Sequence, residues 1–307
     1  MQPPRISRRL LIPALAGLLA LLVAPETAGA WGDHGHTISG RAAATRLPQA
    51  MPRFFRDATL QLGYLNPEPD RWREREFREM DEAFRYDHYL DMERLTPASL
   101  EARDRYTFLS ILQAGGIQRP ARDVGLLHFR ILELYQRLRT EFHLWRNTTD
   151  PQRRRWIEQR ILNDAGVLGH YVTDGANPHH TTVHHNGWAE GYPNPNGYTT
   201  DNTFHRRFES EFVGARVTLG DLLPRIAAAP QRLQDPRADV LRYLRNSNSL
   251  VERLYQLDRQ AAFNAQNTSA EHKRFAVDRL VTGVEMLRAL WWTAWLESEN
   301  APRRQES

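Results

Sequence analysis

An all-α fold, a single-domain multi-helix bundle, is what the sequence predicts, and three observations carry the prediction. Apolar residues recur at three- and four-residue spacing over 35–46, 123–145, 151–174, 203–214, 236–262 and 270–298, the repeat that gives a helix one apolar face. No comparable alternating run of β-branched residues occurs. Helix-start signals coincide with these segments: Asp150-Pro151 and Asp235-Pro236 each place a capping side chain before a proline at the first helical position, and Ser269 precedes Glu271 and an apolar run. With 41% hydrophobic and 10% aromatic residues over 307 positions, the chain has enough apolar content for a true core.

The elements follow in order. Arg5, Arg8 and Arg9 precede an apolar run from Leu10 to Val23, and Ala28-Gly29-Ala30 supplies the small residues signal peptidase requires. The run is 14 residues and broken by Pro13 and Gly17, short of the about 20 needed to span a bilayer. Residues 1–30 therefore read as a signal peptide cut between Ala30 and Trp31, leaving an exported, periplasmic or secreted domain over 31–307. The helical segments are joined by loops, and over 175–202 seven Gly or Pro residues interrupt all periodicity and predict a long surface loop between two helices.

Charge and cysteine content narrow the chemistry. The formal balance is +4, from 41 Lys+Arg against 37 Asp+Glu, and removing residues 1–30 leaves 38 against 36, or +2 over 277 residues. Bulk charge thus gives no argument for nucleic acid. The absence of cysteine excludes disulfides, thiolate metal sites, iron–sulfur clusters and cysteine nucleophiles, so any metal must be held by His, carboxylate or main-chain atoms.

The histidines supply the candidates. His170 and Asp174 are four residues apart in a helical pattern, and so are His205 and Glu209; that spacing sets both members of a pair on one face, a turn apart. Such a pair is ordinarily a surface decoration, but two of them flank a histidine-rich loop in which His180 follows Asp174 by six residues. His88 in Asp-His-Tyr-Leu-Asp and Asp70 in Pro-Glu-Pro-Asp-Arg-Trp are unremarkable alone. His34 competes with His36, and His179 with His180. His184 and His185 read as loop-lining, and His128, His143 and His272 as structural. If cleavage frees Trp31, its α-amine and carbonyl can close a five-membered chelate on a cation, and the amine's ordinary pKa near 8 makes deprotonation beside a metal inexpensive.

Together these residues, from Trp31 to Glu209, resemble the trinuclear zinc phosphodiesterases, the superfamily of zinc-dependent phospholipases C and S1/P1 nucleases. The resemblance implies a helical fold and three Zn2+ ions. Asp70, His88, His170 and Asp174 would hold the first, His180, His205 and Glu209 the second, and Trp31 with His36 the third, with Asp174 bridging the first and third. The resemblance also favours His36 over His34 and His180 over His179, through the intervals from Trp31 and Asp174. It makes Asp70 a candidate to orient or deprotonate the attacking water. The donors suit zinc chemistry, since all are N or O.

The substrate is split between two branches. Glu209 as the last carboxylate resembles the phospholipase C branch and tips the expectation slightly that way. The short Trp31–His36 interval and His88-Tyr89-Leu90-Asp91 resemble the nucleases, which act on single-stranded DNA or RNA. Trp188, Tyr192 and Tyr198 are candidate substrate contacts, able to stack on a base, to meet a lipid, or simply to pin the loop. A non-catalytic, secreted zinc-binding helical protein is the third reading.

Overall fold

The computed structural model describes residues 31–74 and 76–300, and its central feature is an unbroken buried run from Asp164 to His184. A helix that is apolar or buried all round belongs in the interior rather than at the surface, so the second half of this helix is the axis on which the rest packs. The principal helices among the described residues are α1 (Gly32–Ala44), α2 (Thr59–Leu65), α3 (Leu127–Asn147), α4 (Pro151–Asp174), α5 (204–216), α6 (Pro236–Asn248), α7 (Val251–Gln260) and α8 (Ala270–Glu297), with α4 supplying the axis. Among the described residues there is no β-strand, and no helix is long and apolar enough to cross a membrane. All the principal helices pack into one domain. The proposed signal segment, residues 1–30, lies outside the described residues.

The three expected caps form. Asp150 accepts from the Arg153 amide at 2.7 Å, Asp235 from the amides of Arg237 and Ala238 at 3.0 and 3.1 Å, and Ser269 from the His272 amide at 3.4 Å. Each satisfies an amide the first helical turn leaves unpaired. α3 and α4 form an antiparallel pair crossed by Arg160–Glu141 and Arg137–Asp164 ion pairs of 3.3 and 2.8 Å. Below them Phe55, Phe142 and Trp291 meet edge-on, with ring centroids 5.2 and 5.6 Å from Phe55.

Three sequence expectations need correction. The segment 236–262 is two helices, because Asn246-Ser247-Asn248-Ser249 offers side chains that compete with helical bonding; the Ser249 hydroxyl donates to the Asn246 carbonyl at 2.7 Å and the chain turns. Among the described residues the region 47–122, where no helix was expected, carries seven short α-helices and two 3-10 helices, the longest being Arg105–Ala114 at 10 residues. Pieces of that length show too few turns for a periodic pattern to register. The segment 175–202 is a surface loop only in its second half: residues 175–184 are buried. Their main-chain groups pair inside the molecule, His180 O with Leu90 N at 2.9 Å and Thr181 O with Asn248 Nδ2 at 2.8 Å.

Candidate metal centre

α4 delivers His170 and Asp174 from its buried end, one above the other. α2 runs alongside and ends at Asn66, which approaches because position 169 is glycine; a Cβ there would collide with the Asn66 amide. α1 brings His36 against the same turn. The segment beyond α4 turns back as a 3-10 helix, Pro178–Thr181, carrying His180. In α5, Phe204–Arg206 runs into a π-helical turn, Arg207–Phe212, that contains Glu209. π turns are rare and cluster at functional positions. Arg207 anchors this one, donating to Asp258 at 2.9 Å and to the Phe263 carbonyl at 3.0 Å.

Three groups of side chains converge closely enough to hold metal ions: His36, His170 and Asp174; Asp70, His88 and His170; and His180, His205 and Glu209. Asp174 is the hinge between the first two. Its Oδ1 lies 3.4 Å from His36 Nε2, and its Oδ2 lies 3.0 Å from His88 Nδ1 and 3.3 Å from His170 Nε2. Asp70 Oδ1 stands 3.8 Å from His170 Nε2 and 3.9 Å from His88 Nδ1. In the third group Glu209 Oε2 is 2.8 Å from His205 Nε2 and 3.6 Å from His180 Nε2.

The tautomers show why these groups suit a cation. His170 Nδ1 faces the Asn66 carbonyl at 3.0 Å and His180 Nδ1 faces the His88 carbonyl at 2.6 Å. A carbonyl only accepts, so both Nδ1 atoms carry the proton and, in the neutral rings, both Nε2 atoms present a lone pair. His36 Nδ1 meets Asn66 Oδ1 at 3.0 Å and Thr173 Oγ1 at 2.9 Å, while the Thr173 hydroxyl itself donates to the Gly169 carbonyl. His36 Nε2 is therefore also a bare acceptor. These lone pairs point at carboxylates, acceptor against acceptor, and His36 Nε2, Asp174 Oδ1 and both Asp70 oxygens are buried without a hydrogen-bond partner. Unpaired buried polar atoms are costly, and imidazoles oriented by a carbonyl on the far nitrogen are the usual supports of a metal site.

Electrostatics agree with the geometry. Burial pushes Asp70 up to about 7 against the pull of His36 and Arg73. Burial pushes His88 down to about 4 against its Asp174 partner. For His180, burial is outweighed by Asp174 and Glu209, raising it to about 9; for Glu209, burial is outweighed by His205 and His180, lowering it to about 2. Without a cation the carboxylates are matched by protons on histidines, by Arg73 beside Asp70, and by the Trp31 and Asn177 N–H groups on Glu209.

Every expected ligand is brought to this region. His34 is not: its Nε2 turns away to the Val217 carbonyl at 2.8 Å. His179 is buried beside His205, ring centroids 4.7 Å apart, with neither nitrogen partnered. Trp31 is fully buried, with its indole donating to the Thr173 carbonyl at 2.6 Å, and it is the one non-glycine residue with positive φ, +53°, among those described. Its main-chain nitrogen lies 3.0 Å from Glu209 Oε2, in the third group, rather than against Asp174. In the uncut chain that nitrogen is an N–H donor and takes the nearest acceptor.

The centre forms the floor of a cleft of about 1370 Å³, into which Asp70, His88, His180, His205 and Glu209 open. Of the aromatic candidates, Tyr192 lines the cleft. Trp188 and Tyr198 pack inward instead, Trp188 stacked on His184 at 3.8 Å and both edging Tyr255 at 5.2 and 5.5 Å. Several residues carried no sequence signal of this kind. Asn66 and Thr173 orient His36 from outside the ligand set. Arg73 lies 3.5 Å from Asp70 Oδ1 at the cleft floor. Tyr89 and His185 both line the cleft as neighbouring rings, centroids 6.5 Å apart and 26° from parallel. The one faint signal was the three-residue step from Asp70 to Arg73 on a helical turn. No family model, curated protein or solved structure matches the chain. Fold and site define an all-helical, single-domain protein with three His/carboxylate groups within metal-binding distance.

Proposed function

We propose that this protein is an exported zinc-dependent phosphodiester hydrolase, matured by cleavage between Ala30 and Trp31. The observation that carries the reading is the convergence of buried histidines and carboxylates at and just behind the floor of an open cleft, with His36 Nε2, Asp174 Oδ1 and both Asp70 oxygens unpartnered. Asp70, His88, His170 and Asp174 would hold one ion, His180, His205 and Glu209 a second, and His36 with the freed Trp31 terminus a third. Bound zinc supplies Lewis-acid polarisation and makes water acidic enough to attack near neutral pH.

The chain's own groups do the rest. Asn66 and Thr173 hold the His36 ring in register, and the His88 carbonyl does the same for His180. Arg73 brings a guanidinium to the cleft floor, where it can meet a phosphate oxygen. Asp70, an acceptor without a hydrogen-bond partner, is placed to orient a water or hold its proton. His36, His170 and Asp174, fully buried behind the floor, are kept from bulk solvent.

On substrate, sequence and cleft point differently. Glu209 resembles the phospholipase C branch. The near-parallel Tyr89 and His185 rings offer an aromatic surface on which a flat group, such as a nucleobase of a single-stranded nucleic acid, can stack. Asp91, pushed up to about 7 by burial and Glu93, lines the same cleft with one oxygen unpartnered and can donate or accept at a polar base edge.

The test is metal analysis of purified protein with a verified Trp31 terminus, followed by hydrolysis of phosphatidylcholine, single-stranded DNA and RNA side by side. The expected result is close to three zinc ions per chain, matching the three groups, with chelator-sensitive turnover of a phosphodiester. Metal well below that content refutes the centre. Full metal content with no ester cleaved leaves the non-catalytic zinc protein.

A further inference from the structure

We propose that Arg94, Arg119 and Arg122 form a subsite for phosphates flanking the scissile one, so that the cleft engages a single-stranded nucleic acid over several nucleotides. This rests on the phosphodiesterase reading of the same cleft. All three arginines are exposed and line it. Of the cleft's other two arginines, Arg73 belongs to the metal-binding floor, 3.5 Å from Asp70, and Arg85 is paired with Asp81 at 3.0 Å. Arg94, Arg119 and Arg122 make no ion pair among the described residues, and a concave wall of uncommitted guanidiniums suits phosphate oxygens.

The wall is continuous with the aromatic pair. The Tyr89 hydroxyl donates to the Arg122 carbonyl, Leu127 N bonds to Tyr89 O at 3.1 Å, and Asp91 N bonds to Val124 O at 2.7 Å. A ring stacked on the Tyr89–His185 pair therefore has the arginine wall beside it. Further out, Tyr106 is 76% exposed and shares a helix face with cleft-lining Leu109 and Gln113, which offers a second stacking surface at the rim. Carboxylates are present too. Arg85 serves Asp81 and Glu82 together, with Tyr86 also donating to Glu82 at 2.7 Å, and Asp91 is pushed up to about 7; the second charge of that pair, Asp123 and Glu190 stand against the three arginines. The wall carries no cationic excess, so recognition depends on where the uncommitted arginines sit rather than on bulk charge. A volume of about 1370 Å³ also exceeds the roughly 300–1,000 Å³ usual for a small-molecule site.

The experiment uses the metal-loaded protein and two fluorescent, phosphorothioate-linked oligothymidylates, a twelve-mer and a dimer, read by anisotropy across a salt series. Each single-strand phosphate contact contributes about 0.7 to the salt slope. The double variant Arg119→Ala/Arg122→Ala should lower the twelve-mer slope by about 1.4 and weaken its binding about tenfold, with far less effect on the dimer. Arg119→Lys/Arg122→Lys, which keeps the charge, should restore the slope. An unchanged slope in the alanine variant overturns the proposal, and so does equal loss for dimer and twelve-mer. Phosphatidylglycerol vesicles are the other arm: loss of vesicle binding with oligonucleotide binding intact assigns the wall to a lipid surface and overturns it as well. Because binding is read without turnover, wild-type protein that tracks oligonucleotide length yet cleaves no ester sinks the hydrolase reading and leaves the subsite standing.

Discussion

Glu141→Gln is expected to stabilise the protein above pH 7 and to leave it almost unchanged at pH 5. Glu141 and Asp164 approach each other between α3 and α4, both buried; Glu141 Oε2 lacks a hydrogen-bond partner, and Asp164 Oδ2 has only the Arg137 ion pair. Burial pushes Glu141 up to about 7; Asp164 adds to the rise, and Arg160 and Arg137 oppose it. These arginines are more than half exposed, at 58% and 61%, so they relieve the burial only in part. Between its ordinary value near 4.5 and about 7, the folded protein binds a proton at Glu141 that the unfolded chain has released. Stability must then fall as pH rises through that window, and the whole penalty remains above it. At 1.36 kcal/mol per pH unit the upper bound is about 3 kcal/mol, and residual solvent contact brings the realistic figure to about 2 kcal/mol. Glutamine keeps an oxygen for Arg160 and presents an amide to Asp164. The assay is thermal melting of both proteins from pH 5 to pH 8.5. The difference in midpoint should grow from near zero to about 5 °C in favour of the variant. Parallel curves, or a variant less stable at pH 8, would refute the reasoning.

Three further outcomes follow. His128 is fully buried between Phe108 and Phe129, neither nitrogen has a partner, and burial pushes it down to about 3. A buried neutral histidine loses stability as pH falls below about 6.5, so His128→Leu should gain about 1 kcal/mol at pH 7 and more at pH 5, measured by urea unfolding. Asn66→Ala removes the side-chain acceptor that orients His36, with Thr173 left as its partner; zinc affinity measured by chelator competition should fall 10- to 100-fold, and an affinity within twofold of wild type would break the link between Asn66 and the metal. Gly125 has φ +86°, and a Cβ there would run into the Tyr89 carbonyl; Gly125→Ala should cost about 2 kcal/mol or more and weaken the cleft wall at Tyr89, seen as a lowered melting midpoint.

How much was legible depended on the length scale of the signal. Long helices announce themselves because 20 or more residues at a 3.6-residue repeat leave little ambiguity, as in α3 and α4 at 21 and 24 residues. Their starts were readable too, since Asp150, Asp235 and Ser269 act on amides two or three positions away. The short helices of 47–122 were not, and they carry Asp70, His88, Tyr89 and the arginine wall. Pairs such as His170–Asp174 were legible because one helical turn joins them. Asn66 was not, because its partners His36 and His170 are 30 and 104 positions away. The burial of residues 175–184 was hidden by composition: Gly, Pro, Asn and Thr mark an exposed loop unless, as here, their polar groups find partners inside the protein.

By itself the sequence determined the helical class, the extent of the long helices, and a chemistry confined to histidine, carboxylate and main-chain donors by the absence of cysteine. Periodicity, capping and composition are local properties, written in neighbouring residues. The tertiary structure alone decided which histidines meet, which nitrogen each presents, and which aromatic residues face the cleft rather than the core. Those are set by packing between segments far apart in the chain, where one carbonyl against a ring nitrogen fixes the tautomer and a glycine at 169 lets Asn66 reach two histidines at once.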